Sequence, residues 1–225
     1  MNTQIKDYIN GLLSNKPNPV ILEIGTHYGE DTVDMLKVFN DPMIYCFEPD
    51  PRNVKFLNNT LSQHSNVKLF DIALYNKNGE EDFNMSYQPY PDGKDLPEKY
   101  QWINEDDYRK FKLNNSGSSS LKSGHKTLEG AEKARVKTMR LDIWAETEGV
   151  TSVDFIWMDV QGAEREVIEG GQNLFSNTFC VWTEYGETGY EGAMTKKQTI
   201  KTFKLLGFHA DKKQDNNILF TRDFL

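Results

Sequence analysis

The fold of this chain is decided by residues 20–29, which read Val20-Ile21-Leu22-Glu23-Ile24-Gly25-Thr26-His27-Tyr28-Gly29. The apolar run at 20–24 is rich in β-branched residues, is typical of a buried strand, and ends abruptly at Gly25. Gly25 and Gly29 suit a tight turn from a strand into a helix, in which a ligand can approach the backbone closely. A helix is therefore predicted over 31–39.

Strands and helices continue to alternate after this turn. A strand at 43–47, a helix at 53–61 and a strand at 67–70 indicate a parallel sheet with right-handed crossovers. The alternation resumes later, with predicted strands at 136–141, 153–159, 179–185 and 218–221 and helices at 163–168 and 196–206. The polar run 212–217 predicts a hairpin turn before the last strand. The expected fold class is α/β, a Rossmann-like, mostly parallel sheet with a C-terminal antiparallel hairpin.

Residues 87–135 break this pattern, with three prolines, several aromatic residues and the polar run 114–120. We expect a single domain over 1–225, with 87–135 as an insertion after the third strand region that partly covers the carboxyl edge of the sheet. Such an insertion is often a lid or an acceptor-binding loop, although a mobile surface loop would look the same. Its aromatic side chains either stack on a ligand or attach the insertion to the domain. They are Tyr87, Tyr90, Tyr100, Trp102 and Tyr108.

The composition limits the classes of partner. The 225 residues are 37% hydrophobic, which is enough for a core, and their formal net charge is −8. There is no dense run of Lys and Arg, so nucleic acid is not an expected partner. No stretch approaches the roughly 20 apolar residues of a membrane-spanning helix, and residues 1–13 instead predict an amphipathic helix. Cys46 and Cys180 lie in apolar runs and are predicted to be buried thiols, which fits a cytoplasmic location.

An acidic residue stands where a nucleoside ligand would need it. Glu48 ends the second predicted strand, 19 residues after Gly29, and an acidic residue at this spacing can accept hydrogen bonds from both ribose hydroxyls. Ligands of an open parallel sheet bind at the carboxyl ends of its strands, so Glu48 and the glycine turn are expected in one site. These two features fit both a nicotinamide cofactor and S-adenosylmethionine.

The glycine turn itself favours S-adenosylmethionine. A dinucleotide-binding turn has the pattern G-x-G-x-x-G, but here His27 and Tyr28 occupy the middle positions and no third glycine follows where it is needed. A pyrophosphate would lose its close contact with the backbone. A sulfonium ligand with an amino-acid end tolerates this bulk, and Glu23 is expected to bind its ammonium group. Asp71, at the end of the third strand, is expected to hold the adenine amino group.

Several segments resemble the FkbM family of S-adenosylmethionine-dependent methyltransferases, in family order, from residue 20 to about residue 174. They are residues 22–29, Phe47-Glu48-Pro49-Asp50-Pro51, 66–79, 115–121, Leu141-Asp142 and 158–164. The resemblance implies a class I methyltransferase sheet, methylation of a hydroxyl oxygen, and a cofactor site containing Glu23, Gly25 and Glu48. The full predicted cofactor set is Glu23, Gly25, Thr26, His27, Gly29, Glu48, Pro49, Asp71 and Ala73.

The chain departs from the family pattern at three positions. His27 stands where the family usually has Asn, Met158 where Lys is common, and Gln161 where Glu is common. Met158 and Gln161 lie beside the predicted reaction centre, so these departures bear on acceptor recognition rather than on the cofactor.

Methylation of a hydroxyl requires a base within hydrogen-bond reach or a metal that acidifies the hydroxyl. Asp159, at a strand end, is the first candidate for base or metal ligand; otherwise it caps the next helix. Glu184 is the second candidate, or else a solvated strand terminus. His125 is either a base delivered by a closing lid or an exposed loop residue. Asp159, Glu164 and Glu184 could together hold a divalent metal, although carboxylates also meet at one edge by chance.

Two other functions stay open at this point. An NAD-dependent oxidoreductase on the same fold is opposed by the missing third glycine. A non-catalytic binding module is supported by Met158 and Gln161, and opposed by the retention of the predicted cofactor residues and Asp159. The expected acceptor is a hydroxyl of a small molecule or a glycan, most of all a sugar or a secondary metabolite. The sequence does not indicate the oligomeric state, nor whether the chain is part of a longer glycan-processing protein.

Overall fold

A seven-stranded sheet with helices on both faces forms the centre of the computed structural model, which describes residues 3–87, 100, 102–111, 113, 116–186 and 189–223. The strands are β1 Val20–Ile24, β2 Met43–Phe47, β3 Val67–Phe70, β4 Ala73–Tyr75, β5 Gly79–Met85, β6 Glu132–Arg140, β7 Val153–Met158, β8 Thr178–Glu184, β9 His209–Gln214 and β10 Asn217–Thr221. The helices are α1 Thr3–Leu12, α2 Glu30–Val38, α3 Pro51–Leu61, α4 Glu105–Phe111, α5 Leu141–Glu148, α6 Glu164–Gly170, α7 Gln172–Ser176 and α8 Lys196–Leu205.

The strand order of the large sheet is β3-β2-β1-β7-β8-β10-β9. The first five strands are parallel, and β10 pairs antiparallel with both β8 and β9. The predicted parallel sheet with a C-terminal antiparallel hairpin is therefore confirmed. In register, Ile24 lies between Phe47 and Met158, so β1, β2 and β7 end at one edge of the sheet. The predicted 212–217 turn is shorter than expected, because Lys212–Gln214 belongs to β9.

A second, three-stranded sheet has the order β4-β6-β5 and corrects one prediction. The strand predicted at 136–141 is the end of β6, which pairs with β4 and β5 and not with the large sheet. Strands β4 and β5 were not predicted. Their signal is weak because β5 buries little beyond Phe83, which packs with Ala73 and Val136 in a small separate cluster.

Side chains of the large sheet alternate between two cores. Leu22, Ile24 and Met158 point to the face covered by α5, α6, α7 and α8. Ile21 points to the opposite face, which is covered by α1, α2 and α3. This alternation follows from the two-residue period of a strand and decides which way each strand-end side chain points.

Three of the smaller predictions can be compared with this architecture. Helix α1 is amphipathic as predicted and buries Ile5 and Ile9 in the second core. Cys46 and Cys180 are buried free thiols, as expected. Among the described residues, no helix is both long and apolar enough to cross a bilayer.

Part of the 87–135 insertion packs against the domain. Tyr100, Trp102 and Tyr108 join a cluster with Tyr28 and Phe56, so these three aromatic side chains attach the insertion to the turn after β1 and to α3. Tyr87 is 64% exposed. The proline-rich part of the insertion, Tyr90 and residues 114–115 lie outside the described residues.

Candidate active site

A cavity of about 890 Å³, partly open to solvent, lies at the carboxyl ends of β1, β2 and β7. Seven of the predicted site residues line it, namely Gly25, Thr26, His27, Glu48, Pro49, Ala73 and Asp159. The structure therefore brings the glycine turn, the acidic end of β2 and the acidic end of β7 into one site.

Two strand ends meet at the floor of this cavity. The amide of Asp159 donates to the carbonyl of Ile24 at 2.9 Å, which ties the end of β7 to the end of β1. Gly25 has a φ of +92°, and a Cβ atom there would lie 1.9 Å from the carbonyl oxygen of Asp159. Glycine is required at position 25 by both the left-handed backbone and this close approach.

Glu48 presents a nearly buried carboxylate to the cavity, with an exposed fraction of 5%. Its Oε2 accepts the His27 amide at 2.7 Å, and its Oε1 accepts the Asp50 amide at 2.9 Å and the Asn53 side-chain amide at 3.3 Å. Burial raises the pKa of Glu48 to about 8, and these three donors act against that rise. A carboxylate has about four acceptor positions, so capacity remains for the hydroxyl of a ligand.

Glu23 lies beneath the glycine turn and does not line the cavity. Its parity along β1 matches that of Ile21, so its side chain points into the α1–α3 face. There it accepts hydrogen bonds from the Thr32 hydroxyl and, at 3.6 Å, from the Cys46 thiol. Burial raises the pKa of Glu23 well above its ordinary value. Glu23 thus supports the turn from below, and its contact with a ligand ammonium group stays a prediction.

Two carboxylates line the cavity where Glu23 was expected, and neither was predicted from the sequence. They are Glu30 and Asp31, in the first turn of α2. Asp31 is paired with the buried Lys6 of α1 at 3.3 Å. The available signal was their position directly after the glycine turn, where acidic residues also stabilise a helix N-terminus.

Two other predicted cofactor residues do not line the cavity. Asp71 is exposed after the end of β3, and its neighbours Ile72, Ala73 and Leu74 line the site instead. Gly29 has a φ of +81° and forms the left-handed cap before α2. Its role in the structure is to make the turn possible.

A serine-rich loop, residues 116–120, lies at the cavity; it belongs to the 87–135 insertion that was expected to cover this edge, but none of its residues was named as a site residue. Ser116 Oγ lies 3.0 Å from His27 Nε2 and 3.2 Å from both Asn53 Oδ1 and Tyr28 Oη, so it is within hydrogen-bond reach of all three. At the other end, the Ser120 hydroxyl donates to the Gln161 carbonyl at 2.7 Å. The loop thus connects the turn after β1 with the turn after β7. Its serine-rich pattern was noted only as a family-like motif.

Asp159 and Glu184 lie on either side of the Gln161 side chain. The Gln161 amide nitrogen donates to Asp159 Oδ1 and, at 3.3 Å, to Glu184 Oε2. Burial raises the pKa of both carboxyls, that of Glu184 to about 8, with Asp159 as a further cause. The Gln161 hydrogen bond acts in the opposite direction on Asp159. Two neighbouring carboxyls with raised pKa values are typical of proton-transfer sites.

The Glu164 side chain binds backbone amides of the turn that follows β7. It accepts from the backbone amides of Val160 and Gly162 at 3.4 and 3.2 Å, and burial raises its pKa to about 7. Within the described part of the chain, no three His, Cys, Asp or Glu side chains are placed to hold a metal ion. The conditional metal set Asp159, Glu164 and Glu184 therefore does not assemble.

His125 lies outside the cavity lining. Its ring stacks on Tyr190 at 4.7 Å between centroids, and its Nδ1 lies 2.6 Å from the Thr127 hydroxyl. It caps the short 3-10 turn Lys126–Leu128. As placed, His125 is linked to the site through Tyr190, whose hydroxyl lies 2.9 Å from Gln161 Oε1.

The described lining combines an apolar slot with carboxylates. Ile72, Leu74 and Phe83 are among its apolar members. Glu30, Asp31, Glu48 and Asp159 are its acidic members, and the described lining contains no Lys or Arg. Such a cavity suits an aromatic base with a positively charged group, and it disfavours a pyrophosphate.

Known methyltransferases are similar to this chain in sequence. The methyltransferase FkbM domain matches residues 23–210. The 2-O-methyltransferase NoeI of Sinorhizobium fredii is 34% identical over 189 residues, covering 81% of this chain and 70% of NoeI.

Among solved structures, magnesium protoporphyrin IX methyltransferase from Synechocystis matches 98% of this chain and 79% of its own, with a TM-score of 0.48 and 10% identity. Precorrin-6y C5,15-methyltransferase from Geobacter metallireducens matches 98% of this chain and 88% of its own, with a TM-score of 0.47 and 11% identity.

Proposed function

This chain belongs to the methyltransferase FkbM family, and on that premise we propose that it methylates a hydroxyl group of an uncharged sugar. It is an S-adenosylmethionine-dependent O-methyltransferase, as the family and the 34% identical 2-O-methyltransferase support. The sugar, the position of the hydroxyl and the roles of single residues are the further steps of the proposal.

The observation that carries the cofactor assignment is the position of Glu48. Its carboxylate lines the same cavity as the Gly25 turn and Asp159, and it retains acceptor capacity. A ribose bound between Glu48 and the glycine turn can donate hydrogen bonds from its hydroxyls to that carboxylate. Ile72 and Leu74 would hold the adenine, since both are apolar members of the lining.

The amino-acid end of the ligand belongs at the other side of the turn. Glu30 and Asp31 provide negative charge there, which suits an ammonium group and a sulfonium. When bound, S-adenosylmethionine supplies a methyl group on a positively charged sulfur, which leaves as a neutral thioether.

The acceptor belongs beside Asp159. An acceptor hydroxyl within hydrogen-bond reach of this carboxylate is aligned by it and loses its proton to it as the oxygen–methyl bond forms. Asp159 is placed for this by the hydrogen bond of its amide to Ile24, which keeps it on the cavity floor. Glu184 lies behind Gln161 and is proposed to act on Asp159 rather than on the acceptor.

An uncharged, hydroxyl-rich acceptor fits the electrostatics of the described lining. The lining is acidic and has no Lys or Arg to bind a phosphate or carboxylate group, while hydroxyl side chains such as Ser116 can bind sugar hydroxyls. A small-molecule or glycan acceptor is thus favoured over nucleic acid. The buried free thiols Cys46 and Cys180 accord with a reducing, cytoplasmic compartment.

The non-catalytic alternative loses part of its support. Met158, one of the two departures behind it, is 1% exposed and packs in the core on the face opposite Glu23. It therefore takes no part in the cavity lining, and the absence of a lysine there removes no described contact of the site.

The cofactor is tested by calorimetric titration with S-adenosylmethionine and, separately, with NAD. Wild type should bind only S-adenosylmethionine, and Glu48→Gln should bind it at least about tenfold more weakly, because the amide replaces one acceptor oxygen with an NH₂ donor. Glu80→Gln, at a side chain 62% exposed on β5, is the matched control and should bind like wild type. Binding of NAD alone would contradict the proposal.

The acceptor is tested by transfer of labelled methyl groups to uncharged pyranosides and short oligosaccharides. Each sugar is paired with its 2-deoxy analogue, since the relative is a 2-O-methyltransferase. Transfer to the sugar and not to its analogue supports a 2-hydroxyl acceptor. If the sugar and its 2-deoxy analogue are methylated equally, the methyl group goes to another position of the ring. If no sugar is methylated, the proposal of a sugar acceptor is rejected.

A further inference from the structure

The geometry points to Gln161 as a positioning residue that keeps Asp159 in its base form and assigns the proton of the pair to Glu184. This inference rests on the proposed function, in which Asp159 takes up the hydroxyl proton. Gln161 was singled out from the sequence only because the family commonly has Glu at this position.

The argument begins with the hydrogen bonds of the amide group. Gln161 Nε2 carries two hydrogens, and it donates to Asp159 Oδ1 and to Glu184 Oε2. A glutamate side chain cannot donate to both neighbours. An amide is therefore the group that can lie between two carboxyls without adding a third negative charge.

The orientation of the amide is held from the opposite side. The single hydrogen of the Tyr190 hydroxyl lies between two acceptors, Gln161 Oε1 at 2.9 Å and the Ser118 carbonyl oxygen at 2.8 Å. Donation to Oε1 favours the orientation in which the NH₂ group faces the carboxyls. Tyr190 itself is 5% exposed and stacks on His125, so its ring is fixed by packing.

The backbone at this position is also constrained. Gln161 has a φ of +52°, in the left-handed region that non-glycine residues rarely adopt. The Ser120 hydroxyl donates to its carbonyl at 2.7 Å and helps to hold that conformation. Residues held in such backbone conformations cluster at functional sites.

The neighbouring charges explain why the pair shares a proton. Asp31 and Glu30, from α2, disfavour the ionised form of Asp159, and Asp159 and Glu164 disfavour that of Glu184. His27, from the turn after β1, favours ionised Asp159. The titratable Tyr190 hydroxyl also faces both carboxyls, and the acidic neighbours together oppose two negative charges on the pair.

Gln161 decides which carboxyl is ionised. Its closer hydrogen bond is to Asp159, and donation to a carboxylate stabilises the charged form. Asp159 therefore loses its proton first, and Glu184 retains its own to higher pH. Of the two carboxyls, the one that lines the cavity is then the one that can accept a proton.

The test is a carbon-13 NMR titration of the side-chain carboxyls in the free protein, with signals assigned from Asp159→Asn and Glu184→Gln. Wild type should show two separated steps, the lower one at Asp159. Gln161→Met, an unbranched side chain of similar length without a donor, should raise the Asp159 step by about one pH unit. Tyr190→Phe should raise it by less, since the amide remains but is less firmly held.

Either of two results overturns the inference. One is an Asp159 step unchanged in Gln161→Met, in a variant whose circular dichroism shows a folded protein. The other is an Asp159 step unaffected by Glu184→Gln, which would show that the carboxyls titrate independently.

The activity readout is the pH dependence of kcat, whose acid limb should move upward with the Asp159 step in Gln161→Met. The titration needs neither S-adenosylmethionine nor an acceptor. If the protein does not methylate sugars, the titration can still be interpreted. If it methylates sugars but the Asp159 step does not shift in Gln161→Met, only the role of Gln161 is rejected.

Discussion

Gly25 lies so close to Asp159 that a Cβ atom at position 25 would stand 1.9 Å from the Asp159 carbonyl oxygen. The contact joins the two turns that the site is built from. The glycine turn and the proposed base Asp159 therefore form one structural unit, and a substitution in one should alter the position of the other.

Gly25→Ala is expected to lower both stability and cofactor affinity. The left-handed backbone alone costs an L-residue roughly 1–2 kcal/mol, and the contact forces the turns apart. Denaturant unfolding should show at least this loss, and calorimetry should show S-adenosylmethionine affinity reduced by tenfold or more. Gly11→Ala in α1, where nothing lies within 4 Å of the added Cβ, is the control and should not weaken binding.

Stability should depend on pH through Glu184. Burial raises the pKa of this carboxyl to about 8 in the folded chain. The unfolded chain, with an ordinary pKa, releases the proton first as pH rises. The Glu184 contribution to folding stability is therefore intact below about pH 4 and is lost progressively up to about pH 8, by at most about 1.4 kcal/mol per pH unit.

The Glu184→Gln variant isolates this effect. Its stability relative to wild type should increase when denaturant unfolding is repeated at pH 5, 6.5 and 8. Glu80→Gln, on the exposed edge of β5, should show no such trend. A constant difference between Glu184→Gln and wild type at all three pH values would contradict the raised pKa.

Ser116→Ala should weaken cofactor binding without unfolding the protein. The hydroxyl contacts His27, Tyr28 and Asn53, and so holds the serine-rich loop against the cofactor turn. Loss of such hydrogen bonds is expected to reduce S-adenosylmethionine affinity by roughly 2- to 10-fold in calorimetry. Ser123→Ala, which removes an exposed contact to Glu191, is the matched control. Equal affinities in both variants would place the loop outside cofactor binding.

Lys6→Met should destabilise the chain far more than Lys37→Met. Both lysines pair with Asp34, but Lys6 is 2% exposed and also pairs with Asp31, whereas the Lys37 side chain is 67% exposed. Removing the buried partner leaves two acidic groups facing each other, at a cost of about 1–3 kcal/mol once solvation of the partly exposed Asp34 is allowed for. An exposed pair contributes below about 1 kcal/mol. Denaturant unfolding of both variants provides the comparison.

Negatively charged acceptors should be poor substrates. The described lining has four carboxylates and no Lys or Arg, so a sugar phosphate should have a kcat/KM at least about tenfold below that of the matching uncharged sugar. The difference should shrink as salt is added, because exposed charges are screened. Equal use of both acceptors at low salt would show that the carboxylates do not face the acceptor.

The sequence predicted which strand ends and turns form the site better than it predicted which side chains line it. Gly25, Glu48 and Asp159 were found because glycine turns and acidic strand ends are local features of an α/β fold. Glu23 was assigned to the same site, but strand parity turns it toward Thr32 and Cys46. Asp71 was assigned from its place at a strand end, where Ile72 and Ala73 line the cavity instead.

The amino-acid sequence by itself determined the parallel sheet, its C-terminal hairpin and the family to which the site belongs. These follow from hydrophobic periodicity and from short motifs, which act over a few neighbouring residues. Only the tertiary structure decided that 136–141 joins a second sheet, that residues 116–120 lie at the cavity and that Gln161 lies between two carboxyls. Those relationships join residues distant along the chain, and they depend on packing that no local pattern encodes.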